Sequence, residues 1–156
     1  MKNLLILLFI PTIIYGQNDL SSLNDFVEMP IENILIHSIF YYPISNIIQY
    51  QDDKMYDMTD EFPQKFVKTD LKNDKIYLVS HSANDQFTIN KVFRGKNLID
   101  KSIKEMYNAM KYLCEKEGRT VYLEYRFYYN ADRITWEIQH TDFRLSFICE
   151  EPEIID

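Results

Sequence analysis

Apolar and polar side chains alternate most regularly near the C-terminal end of the chain. Val121, Leu123, Tyr125, Phe127 and Tyr129 share one face, followed by Ile134, Trp136, Ile138 and His140, then by Phe143, Leu145, Phe147 and Cys149. A period of two is the mark of half-buried strands. Three successive strands are predicted, roughly Thr120 to Tyr129, Ile134 to Thr141 and Phe143 to Glu150. A two-residue turn at Thr141-Asp142 sets Ile138 beside Leu145 and Gln139 beside Arg144. For the first two strands, both apolar sets stay on one face only if opposed residue numbers have an odd sum. Pairing Tyr129 with Ile134 then places Arg126 opposite Glu137, whereas the next tighter register places Glu124 there. Like charges directly opposite are destabilising, so the first register is expected.

A different spacing precedes this meander. Ile99, Ile103, Met106, Met110, Leu113 and Cys114 recur at three and four, and Gly118 follows where a left-handed cap is expected. This predicts a long helix at about 98–117, starting from Asn97 or Asp100, with its Met and Ile stripe in the core. Lys101, Lys104, Lys111, Glu115 and Lys116 point in other directions, toward solvent. Upstream, "LKNDKIYLVSHS" gives a turn at Asn73-Asp74 and a hairpin of Lys75 to Ser82 with Gln86 to Phe93. Asp52-Asp53 suggests a turn between two short strands, and Pro63 interrupts any regular element. The segment "ILIHSIFYY" has strand-like content, but Pro30 suits a first helical position and Pro43 a stop, favouring helix up to Tyr42. A further short helix is expected between Gln17 and Phe26. The fold class predicted is therefore α+β: a single antiparallel sheet with the long helix on its apolar face, closing in a helix-then-three-strand meander, plus short N-terminal helices.

Organisation follows from the termini. Residues 1–16, MKNLLILLFIPTIIYG, carry Lys2, an apolar run from Leu4 to Ile14 and small Gly16 before Gln17, the layout of a cleaved signal peptide. That run is too short to span a hydrocarbon layer of ~30 Å, so export to the periplasm or medium is expected, with no integral membrane segment after removal. Residues 17–150 make one globular domain, and the acidic tail 151–156 is expected to fray. The whole chain has a net charge of -7; losing Lys2 with the signal makes the mature product more acidic still. Nucleic acid is disfavoured as a partner, because its binding rests on Lys and Arg neutralising phosphates. Cys114 and Cys149 both lie in the exported part, where a disulfide is permitted; a bridge and two buried thiols remain equal alternatives.

Catalytic apparatus is not evident. The sequence has three glycines and no phosphate-binding loop, GxSxG elbow or HExxH pair, and no cofactor or metal site is expected. Ser80 and His81 are neighbours on a predicted strand and point to opposite faces, so they cannot act as nucleophile and base. His37 has no identifiable partner, and His140 fits a core edge. Two sets of binding candidates remain. The first is the outer face of the meander, Tyr122, Glu124, Arg126, Tyr128, Glu137, Gln139 and Arg144, where exposed Tyr and Arg suit an interaction hot spot. The second is the acidic loop of Asp52, Asp53, Asp57, Asp60 and Glu61, where a basic partner meets the strongest field.

Export, acidity, small size and missing catalytic motifs point to a noncatalytic binding protein with a basic protein partner. Its concrete form is a periplasmic inhibitor, or an immunity-type protein neutralising a basic toxin or enzyme. The alternatives are a small exported enzyme or ligand carrier with a cleft between sheet and helix, and a structural envelope component.

Overall fold

The computed structural model describes residues 25–31, 38–140 and 142–155. The chain is nearly all β, which overturns the α+β expectation. Its strands are β1 (Phe26–Met29), β2 (Ile39–Gln51), β3 (Lys54–Asp57), β4 (Gln64–Asp70), β5 (Lys75–Ser80), β6 (Asn84–Asp100), β7 (Glu105–Lys116), β8 (Arg119–Tyr128), β9 (Arg133–Gln139), β10 (Arg144–Cys149) and β11 (Glu153–Ile155). Strands β2, β4, β5, β6, β7, β8, β9 and β10 each pair antiparallel with the next, and β10 returns to β2. The result is a closed eight-stranded up-and-down barrel, a closure that removes open edges from these strands. Outside the ring, β1 pairs with β6, and β3 and β11 pair with β2.

No long helix exists at 98–117; that segment is the end of β6, a turn and β7. Met106, Met110 and Cys114 are spaced by four, which is an even number, so they share one face of a strand as readily as one side of a helix. The intervening Tyr112, buried with Cys114 in the barrel core, belongs to the alternation and not to the helical stripe. Gly118 does adopt a left-handed backbone, with φ 73°, but in the tight turn between β7 and β8, where Glu117 is also left-handed and Lys116 pairs with Arg119. Such a turn matches the twist of a hairpin.

The helix expected up to Tyr42 is likewise overturned at its described end, since Ile39–Gln51 is one strand. Pro43 sits inside β2 without breaking it. Its missing N–H falls where the ladder is already irregular, beside the shift between Ile148 and Cys149, and its carbonyl still accepts from the Glu150 N–H at 2.9 Å. Most of the short N-terminal helix lies outside the described residues, and Phe26 belongs to β1. The tail does not fray throughout: Glu153–Ile155 pairs with Ile39–Tyr41. The hairpin of β5 and β6, the Asp52-Asp53 turn and the three C-terminal strands form as expected.

The pairing of β9 with β10 sets Ile138 beside Leu145 and Gln139 beside Arg144, as expected. Between β8 and β9 the observed register is the one rejected on charge grounds, with Tyr125 opposite Trp136 and Glu124 opposite Glu137. The penalty for facing carboxylates is removed by cations on neighbouring strands, which a two-strand argument leaves out. Inside the ring, Val67, Ile76, Phe87, Tyr112, Leu123, Trp136, Phe147 and their neighbours fill the core. Tyr42, Tyr112 and Tyr125 surround the Trp136 indole with ring centroids 5.5–5.7 Å away. Tyr129, by contrast, is 44% exposed and not core.

One extension shapes the outside. Strand β6 pairs with β5 only from Asn84 to Thr88, then runs on with β7 to Asp100. Between Gly95 and Leu98 the register shifts, and Asn97 is left-handed with φ 54°. A Cβ at Gly95 would sit 2.6 Å from Leu98 Cδ1 and 2.8 Å from a Phe26 ring carbon, so glycine is what permits this bend. Beyond it, the hairpin tip covers the outer face of the β8–β10 wall: Leu98, Ile103 and Phe26 pack on Tyr107, Ala109 and Tyr128.

Candidate functional site

On the covered wall, the outward positions of three adjacent strands carry mostly polar or charged groups. Glu124, Arg126 and Tyr128 come from β8, Thr135 and Glu137 from β9, and Arg144 and Ser146 from β10. Alternation directs all of them away from the apolar interior, and the β6–β7 hairpin then shuts them off from water. Glu124, Arg126, Tyr128 and Glu137 are buried and Arg144 is nearly so. They occupy the outer face of the wall, as their parity requires, but that face is not wet.

The hairpin contributes the group that joins them. Asp100 Oδ2 accepts from Arg126 Nη1 at 2.7 Å, Arg144 Nη1 at 2.7 Å and the Tyr128 hydroxyl at 2.8 Å. Its Oδ1 accepts from the Ser102 N–H at 2.9 Å, which fixes the turn. Arg126 Nε donates to Glu124 Oε1 at 2.7 Å, and Lys111 Nζ lies 3.1 Å from the other oxygen of that carboxylate. Glu137 Oε1 accepts from Thr135 and Ser146 at 2.6 and 2.8 Å. Its Oε2 is 3.4 Å from Arg144 Nε and has no well-formed hydrogen bond. Guanidinium stacking completes the set, with Arg126 over Tyr107 at 4.5 Å and Arg144 over Tyr50 at 4.2 Å.

Lys111, Arg126 and Arg144 thus balance Asp100, Glu124 and Glu137. Burial pushes the Asp100 carboxyl up, but the charges and hydrogen bonds of Arg144 and Arg126, with the Tyr128 hydroxyl, outweigh it and hold it below its ordinary range. Burial also opposes ionisation of Glu124, and Arg126 and Lys111 overcome it in the same way. Burial alone would lower Arg126; the carboxylates of Glu124 and Glu137 instead hold its guanidinium well above its usual value. Asp100, Glu124 and Arg126 are thereby held in their charged forms, which suits a binding or structural network better than proton transfer.

Beside the network is a polar cleft of about 340 Å³, formed where three turns meet. The β2–β3 hairpin supplies Tyr50, Asp52, Asp53 and Met55, the β6–β7 tip Lys101 and Ser102, and the β9–β10 turn Gln139, Asp142 and Arg144. Members of both candidate sets therefore meet here: Asp52 and Asp53 from the acidic loop, Gln139 and Arg144 from the sheet face. Tyr122 lies apart, near the other end of β8 from Tyr128.

The rest of the acidic loop has mixed employment. Asp57 Oδ1 accepts from the Thr59 N–H at 2.9 Å and from its hydroxyl at 2.6 Å, and these bonds hold the Asp57 carboxyl below its ordinary range. The Thr59 hydroxyl oxygen accepts in turn from the Ile47 N–H at 3.1 Å, so Asp57 anchors a loop. Asp52, Asp53, Asp60 and Glu61 are exposed. All of β3 is exposed too, including Met55 at 63% and Tyr56 at 44%.

Cys114 and Cys149 are free and buried in the barrel, and burial raises both thiols to about 12. The Ser80 hydroxyl donates to the Ala83 carbonyl at 2.9 Å and accepts from the Ala83 N–H at 3.0 Å, closing a loop. His140 stacks on Phe143 with centroids 4.4 Å apart, and His37 lies outside the described residues. Among the described residues, no group of three or more His, Cys, Asp or Glu side chains could hold a metal ion.

Asp100, Lys111 and Tyr50 belong to the network but not to the residues expected from sequence. Asp100 reads locally as a helix start and Lys111 as a solvated lysine. The available signal is the pairing of two arginines with two glutamates on one strand face, which calls for further partners once that face is covered. Comparisons of the chain with known protein families, curated proteins and solved structures return no match. No described helix is long and apolar enough to cross a membrane.

Proposed function

We propose that the chain is a small exported, noncatalytic binding protein whose basic protein partner docks on the β2–β3 hairpin and the adjoining cleft. The observation that carries this reading is β3 itself. Met55 and Tyr56 are large, exposed apolar side chains on opposite faces of β3, and Met55 lines the cleft with Asp52, Asp53 and Lys54. An aromatic or methionine anchor inside a charged rim is the usual anatomy of a protein interface. The net charge of -7 favours approach by a cationic surface. A toxin or enzyme neutralised by this chain is the concrete form, as for an inhibitor or immunity-type protein.

The signal-like segment at residues 1–16 supports export. The barrel is apolar inside and carries outward-facing Lys68, Lys75 and Arg144, the reverse of the polar lumen and apolar outer band of a lipid-embedded barrel. The test is retention of a protein from the envelope or secreted fraction on the immobilised mature chain, repeated with Met55→Ala and Asp53→Lys. Loss of one specific basic protein with both variants, and its release by salt, is the expected result. No retained partner, or one that both variants keep, would overturn the reading.

A further inference from the structure

We infer that Arg126, Tyr128 and Arg144 form an oxyanion-binding site which the β6–β7 hairpin occupies with its own Asp100, and that an external carboxylate or phosphate competes for it. This stands on the outer wall of β8–β10 and does not depend on the docking reading above. Three donors from two strands converge on a single oxygen, Asp100 Oδ2, at 2.7, 2.7 and 2.8 Å. Two guanidiniums and a hydroxyl aimed at one point make a receptor for an anionic oxygen. That oxygen comes from the far end of β6, beyond its pairing with β5, and not from the wall that holds the donors.

The charge balance favours the same conclusion. With Asp100 withdrawn, Lys111, Arg126 and Arg144 face only Glu124 and Glu137, leaving one positive charge in excess. An incoming anion restores neutrality. Glu124 and Glu137 are themselves committed, the first to Arg126 and Lys111 and the second to Thr135, Ser146 and Arg144. Neither can replace Asp100 without abandoning those contacts.

The tip is held by few contacts besides Asp100. Past the register shift at Gly95, its inward apolar packing is Leu98 and Ile103, and its polar ties to the barrel are Glu105 to Arg133 at 3.1 Å and Asn97 to the Tyr129 hydroxyl at 3.3 Å, both at its rim, while Ile99 is 64% exposed and Lys101, Ser102 and Lys104 are exposed. Beside the Asp100–Arg144 contact opens the 340 Å³ cleft, in which Arg144, Lys54 and Lys101 offset Asp52, Asp53 and Asp142, so an anion reaches Arg144 without crossing the core. Displacement of the tip is then an exchange of one carboxylate for another oxyanion.

The test follows the Nε–H resonances of Arg126 and Arg144 by NMR during titration with inorganic phosphate, and separately with acetate, against chloride at matched ionic strength. Wild type and Asp100→Asn are compared, the second keeping the shape of the turn without its charge. In wild type both resonances should move saturably with phosphate or acetate and not with chloride. Asp100→Asn should bind roughly tenfold or more tightly, because the competing occupant is weakened, and adding Arg144→Lys should reduce that gain. Response to acetate alone would identify a carboxylate site, and response to phosphate a phosphate site. Resonances in wild type that stay fixed at concentrations saturating Asp100→Asn would mean the tip is a permanent strut and would overturn the inference. So would failure of Asp100→Asn to bind either anion.

Discussion

Two walls of the same barrel carry the same alternation and are used differently. On β4 and β5, Val67, Thr69, Ile76 and Leu78 turn inward and are buried, while Lys68 and Tyr77 on the outer side are only half-buried. There Lys68 lies between the Tyr41 and Tyr77 rings, 5.6 and 5.0 Å from their centroids, on an open surface. On β8–β10 the inward residues are equally apolar, but Glu124, Arg126, Thr135, Glu137 and Ser146 on the outward side are buried as well. The difference comes from neither wall's own residues. It comes from the β6–β7 hairpin, whose bend at Gly95 lays a second layer over one wall, with Tyr50 over Arg144 at its edge, whereas Lys68 on the other wall meets the Tyr41 and Tyr77 rings without a buried carboxylate among the described residues. A charged side chain therefore takes its energetic role from what covers it: a cation on the open wall is solvated, and one on the covered wall must be matched.

That contrast is broken most severely at Arg126. Replacing it with Met removes the cation that Asp100 and Glu124 share and leaves two buried carboxylates short of a partner. Losing one member of a buried ion network costs ~3–5 kcal/mol, and urea denaturation of Arg126→Met should show a loss of this size. A loss below ~1 kcal/mol would mean that water reaches the network and that the hairpin is no real cover.

The sequence makes the faces legible but not the layers. Parity correctly separates Leu123, Trp136, Ile138 and Phe147 from Glu124, Arg126 and Glu137, because side-chain direction in a strand is a local property. Whether a face is wet depends on a hairpin that is distant along the chain, and a reading of β8–β10 alone has no access to it. The same limit explains the register. Glu124 opposite Glu137 is unfavourable for two isolated strands, and becomes acceptable only with Lys111 from β7 and Arg144 from β10 beside them. The 98–117 segment fails for a more local reason, since spacing by four satisfies both a helix and a strand. Barrel closure itself is a pairing of β2 with β10 across most of the chain, and no local pattern encodes it.

A smaller effect, with a pH signature, is expected at Asp100. Asp100→Asn keeps a hydrogen-bonding side chain but loses charge-assisted bonds, at a cost of ~1–3 kcal/mol. In wild type the folded-state carboxyls of Asp100 and Glu124 are held below their ordinary values of 3.8 and 4.5. Their stabilisation is therefore fully present above those ordinary values, and is lost as pH falls below them toward the folded-state values. Thermal midpoints of wild type should drop through that acid window. Asp100→Asn should start lower and fall less steeply there, because Asp100 no longer adds to the depressed carboxyls of Glu124 and Asp57. Parallel curves for the two proteins would show that Asp100 does not carry the acid dependence.

The smallest effect belongs to the open wall. Lys68→Met keeps most of the apolar stem that lies between Tyr41 and Tyr77 and removes only the cation over their rings. Exposed cation–π contacts contribute ~0.5–1 kcal/mol, so urea denaturation should register a loss no larger than this, with a slightly reduced dependence on salt. The comparison with Arg126→Met is then between two single-charge deletions on one barrel, one under the hairpin and paired with buried carboxylates, the other set between two aromatic rings. If Lys68→Met were as damaging as Arg126→Met, burial by the hairpin could not be what separates the walls. The cations would instead have to act through the strand pairing common to both.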